Sequence, residues 1–383
     1  MFWMKYKSNI PQSISRTAGE KQNRQRPEPR VGVGKRGENI ILKPATRVNE
    51  KNGTRLLAGK TAKERLRHFM DLFQKDDDVL VVINADPDAL ASAMAVKRLL
   101  RYRVKSLTIG YPNEIRRLNN LVMIDQLKIP LEKLQSLKLK DYTIKIMLDS
   151  QPSHLPSFEK ITFDVVIDHH PVTPGLESRY MDIRPDYGAT ASILVEYLRA
   201  AGMKPSVPLA TALFYAIKVD TNNFEKRASL SDAISFRHLF TLANQNLVRK
   251  IELASLRPSE LNYFQTAFTE KKISKQRLYV HIGRVRNPDI LVIIADFFKN
   301  VHQISWVLVS GIYGERLVVI FRCDGYKKNA GKLAEKIFGP MGSAGGHREA
   351  ARAEVPLKNL PQQGQDFSTL ALKRLATKHM QAE

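Results

Sequence analysis

The sequence predicts an α/β protein in which a largely parallel sheet with helices on both faces is joined by a linker helix to a smaller α/β domain. From about residue 79 to 200, apolar runs typical of buried strands alternate with stretches of helical spacing. A second alternation begins near Ile273. The 383 residues are also more than one ordinary domain holds. The sequence therefore predicts two domains with separate cores.

The first 60 residues differ in composition from the rest of the chain. They are polar and basic, and they show no apolar periodicity. Such a segment cannot bury enough apolar surface to offset the entropy cost of ordering it. We therefore predict a disordered basic N-terminal arm over 1–60, which either contacts nucleic acid nonspecifically or only solubilises the protein.

The first domain is predicted over 61–245. It opens with an amphipathic helix over 61–74, followed by a Val-rich strand from Val79. Further strands are predicted at 106–109, 142–148 and 163–167. Helices are predicted at 89–100, 113–126, 189–201, 207–218 and 229–245.

A linker is predicted over 246–272, and it ends in a helix over 259–271. The second domain is predicted over 273–360, and a C-terminal tail over 361–383 carries a last short helix. Within the second domain we predict a strand at 277–282, a helix at 289–300, a hairpin-like pair at 304–309 and 317–321, and a helix at 326–338. A glycine-rich loop follows this helix.

Four hydrophobic elements of the first domain end in acids or histidines. They end at Asp86-Pro87-Asp88, at Asp149, at Asp168-His169-His170 and at Asp220. One such ending is readily explained as a helix N-cap and a first-turn acid. Four of them in one domain are harder to explain as independent caps. Carboxylates together with imidazole suit a Mn²⁺, Mg²⁺ or Zn²⁺ site.

These endings, taken in order, resemble the four motifs of the DHH phosphoesterases. The stretch from Gly342 to His347, followed by Ala350-Ala351, resembles the signature of the DHH-associated C-terminal domain. Residues 187–192 (Tyr-Gly-Ala-Thr-Ala-Ser) resemble a segment of the nanoRNase and pAp-phosphatase branch. The resemblance covers roughly residues 75–360.

The resemblance implies a phosphoesterase that uses manganese, with magnesium as the alternative, and holds one or two ions per chain. The implied metal ligands are Asp86, Asp88, Asp149, His169 and Asp220. Of the implied catalytic residues, Asp168 would orient a histidine ring and His170 would face the substrate phosphate. The implied substrate-binding residues are Arg322, Gly345, Gly346 and His347.

The first motif departs from the family pattern. Val82 stands where relatives carry a histidine, and Ala85 replaces the usual proline. Valine cannot bind a metal, so the second ion is left with Asp86, Asp149 and either water or the Asn84 amide. The departure leaves three outcomes open: an enzyme of reduced activity, an enzyme that recruits the second metal only with substrate, or a binding descendant.

The net charge of +23 favours an anionic partner, and the resemblance implies hydrolysis of short oligonucleotides or nucleotide 3′,5′-bisphosphate (pAp). The alternatives are a cyclic-dinucleotide phosphodiesterase, a polyphosphatase, or a catalytically impaired nucleotide- or nucleic-acid-binding protein. A homodimer is a further expectation. The single Cys323 excludes an intrachain disulfide, and no apolar run reaches membrane-spanning length, so we predict a cytoplasmic protein. The N-terminus lacks a secretory signal, although its lack of acids before Glu20 leaves an organelle-transit segment open.

Overall fold

A computed structural model describes residues 60–112, 114–225, 228–325, 328–360 and 367–380. Apart from Lys60, the predicted N-terminal arm lies outside the described residues. Its contact with nucleic acid therefore stays a prediction.

The first sheet has six strands in the order β3-β2-β1-β4-β5-β6, and all of its neighbouring pairs are parallel. The strands are β1 Asp78–Ile83, β2 Ser106–Tyr111, β3 Glu132–Lys133, β4 Ile144–Leu148, β5 Val165–Asp168 and β6 Tyr180–Ile183. This confirms the predicted parallel α/β class. β3 and β6 were missed because each is too short to carry a periodic pattern.

Among the described residues, seven α-helices accompany the first sheet: α1 Ala62–Met70, α2 Pro87–Leu100, α3 Leu118–Leu127, α4 Thr190–Ala200, α5 Val207–Asp220, α6 Leu230–Phe240 and α7 Gln245–Leu253. They share one apolar core with Val79, Val81 and Ile83 of β1. The other face of β1, with Leu80 and Val82, packs against side chains from 134–163. That segment contains short 3-10 turns. The predicted sheet with helices on its faces is therefore confirmed: among the described residues, α-helices cover one face and short 3-10 helices lie against the other.

The segment expected as a linker also differs from the prediction. A turn at 241–244 divides the predicted helix 229–245, and α7 occupies the first part of the expected linker, up to Leu253. Val248 and Ile251 of α7 are buried in the first core. The helix is only nine residues long, with Leu247 and Leu253 as its other apolar positions, so its short pattern was interpreted as a linker. The domain boundaries themselves stay predictions.

The second sheet is mixed, with strand order β11-β12-β10-β9-β8-β7. Its strands are β7 Lys272–Ser274, β8 Arg277–Arg284, β9 Trp306–Tyr313, β10 Arg316–Cys323, β11 Ser343–Gly346 and β12 Ala350–Pro356. Helices α8 Leu261–Glu270, α9 Asp289–Lys299, α10 Ala330–Phe338 and α11 Thr369–Met380 accompany it. The predicted hairpin is present as β9 and β10. The predicted glycine-rich loop is wrong in part, because residues 343–346 pair with β12 as an edge strand.

No helix in the described ranges is both long and apolar enough to cross a lipid bilayer.

Candidate active site

The acids and histidines that end the first-domain elements lie at one edge of the sheet. Asp86 follows β1 by two connecting residues, Asp149 follows β4 directly, and Asp168 closes β5. Parallel strands present their carboxyl ends at one edge, where α/β proteins bind ligands. Asp220 reaches the cluster from the last position of α5.

Three carboxylate side chains, those of Asp88, Asp149 and Asp220, lie close to His169. The His169 Nε2 atom lies 3.1 Å from Asp220 Oδ2 and 3.4 Å from Asp149 Oδ1. Ligand atoms of Asp88, His169 and Asp220 all lie within 4.8 Å of one another. The same holds for Asp149, His169 and His170. Asp86 is in hydrogen-bonding reach of Asp149 and feels the charge of Asp220. The expected convergence is present, although the role of each residue stays a prediction.

The tautomer of His169 suits a metal ligand. Its Nδ1 atom lies 3.2 Å from the backbone carbonyl oxygen of Tyr187. A carbonyl oxygen can only accept, so Nδ1 carries the proton and donates it. The Nε2 atom is thereby directed at Asp149 and Asp220. A second hydrogen bond of this kind usually orients a metal-binding imidazole.

Asp88 is held by the N-terminus of α4. Its two carboxylate oxygens accept the backbone N–H groups of Thr190 at 2.6 Å and Ala191 at 2.7 Å. The Thr190 hydroxyl donates to Asp149 Oδ1 at 3.0 Å. The unpaired N–H groups and the dipole of a helix N-terminus stabilise a carboxylate. Thr190 was noticed in the sequence only through the family segment, and its role in joining two acids was missed.

Asp86 is also the N-cap of α2, as the alternative explanation anticipated. Its Oδ1 atom accepts the backbone N–H of Ala89 at 3.0 Å. Capping uses one oxygen of this carboxylate. The carboxylate of Asp86 also lies within hydrogen-bonding reach of Asp149, so it takes part in the acid cluster as well as in capping.

Without a cation, the cluster disfavours negative charge. Burial, followed by the charge of Asp220, raises the pKa of Asp88 to about 7. Burial and the neighbouring acids raise the pKa of Asp149 well above its ordinary value, and burial likewise raises the pKa of Asp86. Burial opposes protonation of His169, but its hydrogen bond to Asp220 and the charge of Asp88 raise its pKa to about 9. Buried, mutually repelling carboxylates beside an imidazole fit a hard divalent cation.

The backbone of Asp149 is strained. Its φ of 56° lies in the left-handed region, which non-glycine residues seldom adopt. Such conformations persist where the surrounding fold imposes them, and they cluster at functional sites. Here the left-handed turn comes directly after β4, where the Asp149 side chain meets Thr190 and His169.

Asp168 orients His170, as the resemblance implied. The His170 Nδ1 atom donates to Asp168 Oδ1 at 2.8 Å, and Gln151 Nε2 donates to Asp168 Oδ2 at 2.7 Å. Burial acts to raise the pKa of Asp168, but these two hydrogen bonds outweigh it and lower the pKa. The His170 side chain remains 45% exposed. Its Nε2 atom is therefore available to a ligand.

Two neighbours of this pair were missed in the sequence. Gln151 is fully buried, and its Oε1 atom accepts both the backbone N–H and the hydroxyl of Thr173. The ring of His154 packs edge-on against His170 at 5.5 Å. Its ligand atom lies within 4.8 Å of those of Asp168 and His170. Neither residue follows an apolar run, so the pattern of strand endings could not reveal them.

Val82 is fully buried, and its side chain packs among apolar residues such as Met147 and Phe158. This apolar cluster lies on the face of the sheet opposite the helices. An imidazole at position 82 would enter it, so restoring the family residue would not by itself complete a metal site. Asn120, which the sequence did not single out, donates from Nδ2 to the Ala85 carbonyl and supports the turn before Asp86.

The expected substrate-binding residues of the second domain make contacts within that domain. Arg322 Nε donates to Asp296 at 2.6 Å. Gly346, at φ 149°, is required by close packing, because a Cβ atom there would lie 2.5 Å from the Ala350 oxygen. A Cβ atom at Gly345 would meet nothing within 4 Å. The His347 side chain is exposed. Ligand binding by these residues stays a prediction.

Comparison with known proteins gives a family match for the part of the chain that carries the acid cluster. Residues 78–217 match the DHH family, N-terminal domain. An uncharacterized protein of Methanocaldococcus jannaschii is 35% identical over 281 residues, which are 73% of this chain and 58% of that protein. The chain thus spans 58% of the length of this curated relative.

The first of two solved structures shows a likeness of fold. An exopolyphosphatase-related protein from Bacteroides fragilis matches at a TM-score of 0.66 and 14% identity, over 84% of this chain and 97% of its own. The exonuclease RecJ bound to manganese matches at a TM-score of 0.47 and 13% identity, over 84% of this chain and 94% of its own.

Proposed function

Because residues 78–217 of this chain belong to the DHH family, we propose that the protein is a metal-dependent phosphoesterase. Its metal ligands are Asp86, Asp88, Asp149, His169 and Asp220. The observation that carries the proposal is the approach of Asp88, Asp149 and Asp220 to His169 from separate elements. Buried acids at such close range are costly unless a cation compensates them.

The cation class follows from the donors. Carboxylate oxygens and one imidazole suit Mn²⁺, with Mg²⁺ as the alternative, in one or two ions per chain. A bound divalent cation would polarise a phosphoryl oxygen and lower the pKa of a coordinated water. The chain's own residues prepare the site. The α4 N-terminus fixes Asp88, the Tyr187 carbonyl fixes His169, and Asp168 turns His170 outward.

His170 is the residue we assign to the substrate phosphate. Its Nδ1 atom is engaged by Asp168, and the side chain is 45% exposed, so Nε2 faces an incoming phosphate and can donate to it when the ring carries both protons. Asp168 acts through His170 and is a positioning residue. The Gln151 amide in turn holds Asp168 from the buried side.

We propose short oligonucleotides or pAp as substrates. The net charge of +23 supports an anionic substrate. A cyclic-dinucleotide phosphodiesterase would use the same ligands. Val82 favours a second candidate, a nucleotide-binding protein of reduced activity, because one expected ligand is replaced by a buried apolar side chain. The cytoplasmic location and the homodimer stay predictions.

The test is an activity panel with Mn²⁺ on di- to pentanucleotides, pAp and a cyclic dinucleotide, beside the metal content of the purified protein. We expect turnover in the wild type and its loss, together with bound metal, in Asp149→Asn. Asp125→Asn is the control, because Asp125 lies exposed on α3. Bound metal without turnover on any substrate would favour the binding protein. An Asp149→Asn variant that keeps both metal and turnover would refute the site.

A further inference from the structure

A cavity of about 670 Å³ lies beside the candidate active site and has the size of a small-molecule site. Arg116, on the segment between β2 and α3, lines it from the first domain. The rest of the lining includes Tyr263 of α8 and, from the second alternation, Arg286 and Tyr313. Arg257, from the turn before α8, completes the set of guanidinium groups.

The charges in this cavity are unevenly compensated. Arg116 pairs with Glu114 at 2.9 Å and stacks over the Tyr313 ring at 5.4 Å. The Arg257 guanidinium lies 3.9 Å from Glu260. Arg286 has no carboxylate partner within the described ranges. Its side chain is exposed and lines the cavity. A guanidinium group presents a planar fork of donors that matches a phosphate.

This cavity continues toward the acid cluster. A second cavity, of about 550 Å³, is lined by Asp86 and Arg117 and shares Glu114 and Arg116 with the first. Arg116 also lines a third cavity, which contains Arg322. A substrate whose reacting phosphate lies near Asp86 can therefore extend past Arg116 into the arginine-lined cavity.

We propose that the arginine-lined cavity binds a second phosphate group of the substrate, together with its adjoining base. Arg286, supported by Arg257, grips this phosphate. The rings of Tyr263 and Tyr313 offer faces on which a base can stack. The cavity thus makes the protein prefer substrates that carry a terminal phosphate. The proposal rests on the phosphoesterase function and specifies its substrate class.

The test compares binding of ApA, pApA and ApAp by the full-length protein in EDTA, where turnover is excluded. Repulsion from the empty acid cluster is common to the three ligands and cancels in their differences. We expect one terminal phosphate to tighten binding by the wild type about tenfold, the scale of a hydrogen bond to a charged group. In Arg286→Gln the ratio of affinities with and without the terminal phosphate should fall to about one.

Arg284→Gln is the matched control, since it removes the same charge two residues away at a side chain that bonds the Gly314 carbonyl. It should keep the gain. No gain in the wild type, an equal gain in Arg286→Gln, or the same loss in Arg284→Gln would each overturn the cavity assignment.

Turnover of ApA with Mn²⁺, measured in parallel, separates this proposal from the function on which it rests. If Asp149-dependent turnover is present but the gain does not depend on Arg286, only the cavity assignment fails. If the gain depends on Arg286 but no substrate is turned over, the phosphate site stands and the phosphoesterase function fails.

Discussion

Replacing Asp149 with asparagine is expected to stabilise the metal-free protein and to abolish its affinity for divalent cations. Asparagine suits this position, because it tolerates the left-handed backbone at φ 56° better than most residues. Its amide oxygen can accept the Thr190 hydroxyl, as the carboxylate does at 3.0 Å. Its amide N–H can donate to Asp86. The substitution therefore removes one negative charge with little change in hydrogen bonding.

The pKa of Asp88 gives the size of the free-energy change to expect when a charge is removed from the cluster. Burial, followed by the charge of Asp220, raises its pKa from 3.8 to about 7. About three pKa units correspond to about 4 kcal/mol. Because the folded-state pKa lies above the unfolded one, the native state binds more protons between these values. Stability is therefore fully present below about pH 4 and is lost as the pH rises through about 7.

Burial and then the charges of Asp88 and Asp86 also raise the pKa of Asp149. Its removal should recover free energy of the same order. We expect Asp149→Asn to raise the free energy of unfolding at pH 8 by at least about 2 kcal/mol. For a domain of this size that is roughly 4–8 °C in Tm.

Thermal unfolding in EDTA and with Mn²⁺ measures both parts of the prediction. In EDTA at pH 8 the variant should melt above the wild type, and the difference should shrink at pH 4. Excess Mn²⁺ should then stabilise the wild type by about 2.7 kcal/mol at 100 times its Kd. The variant should gain little, so its advantage over the wild type should shrink or disappear.

Asp182→Asn is the control, because Asp182 is equally buried but well paired. Its carboxylate contacts Arg65 at 2.5 Å and Arg184 at 2.7 Å. Breaking a buried pair destabilises a protein, so this variant should melt below the wild type in both conditions. The reasoning is refuted if Asp149→Asn melts below the wild type in EDTA at pH 8. It is also refuted if Mn²⁺ stabilises both proteins equally.

Two further predictions concern the second domain. Gly346→Ala should lower the free energy of unfolding by about 2 kcal/mol or more, because its Cβ atom would lie 2.5 Å from the Ala350 oxygen. Gly345→Ala has open space and should melt with the wild type, so equal melting of both variants would contradict the packing argument. Burial lowers the pKa of His281 from 6.5 to about 4. The neutral ring therefore contributes fully to the free energy of unfolding above pH 6.5. About 3 kcal/mol should be lost as the pH falls to 4. Replacing His281 with Asn beside Ser310 should flatten the stability profile in urea over this range, and an unchanged slope would sink the argument.

The sequence predicted the parts of the site that lie at the ends of long apolar strands. β1, β4 and β5 each carry a run of buried aliphatic residues, and each run ends at or just before an acid. Parallel pairing then brings those acids to one edge without further information. The start of α2 was equally visible, because Asp86 and Pro87 form an N-cap and a first-turn proline.

What the sequence could not reveal depends on backbone groups and on short elements. Asp88 receives two N–H groups from residues 102 and 103 positions away, and backbone donors leave no trace in residue type. Gln151 and His154 lie in a 3-10 turn too short for periodicity. α7 was not predicted as a helix, because its apolar positions span only nine residues and its place in the first core depends on tertiary burial.

These contacts explain how the folded protein holds a cluster of buried acids that repel one another. Asp149 is strained at φ 56°, and the acids around it repel one another, so the cluster cannot be a source of stability without a cation. The stability must come from elements that the cluster does not perturb. The central strand β1 is buried on both faces, and the α4 N-terminus supplies fixed dipoles to Asp88. A rigid sheet edge and a helix end therefore hold carboxylates in positions that they would otherwise leave. That arrangement suits a divalent cation, because the folding free energy of the protein has already brought the carboxylates together before the ion binds.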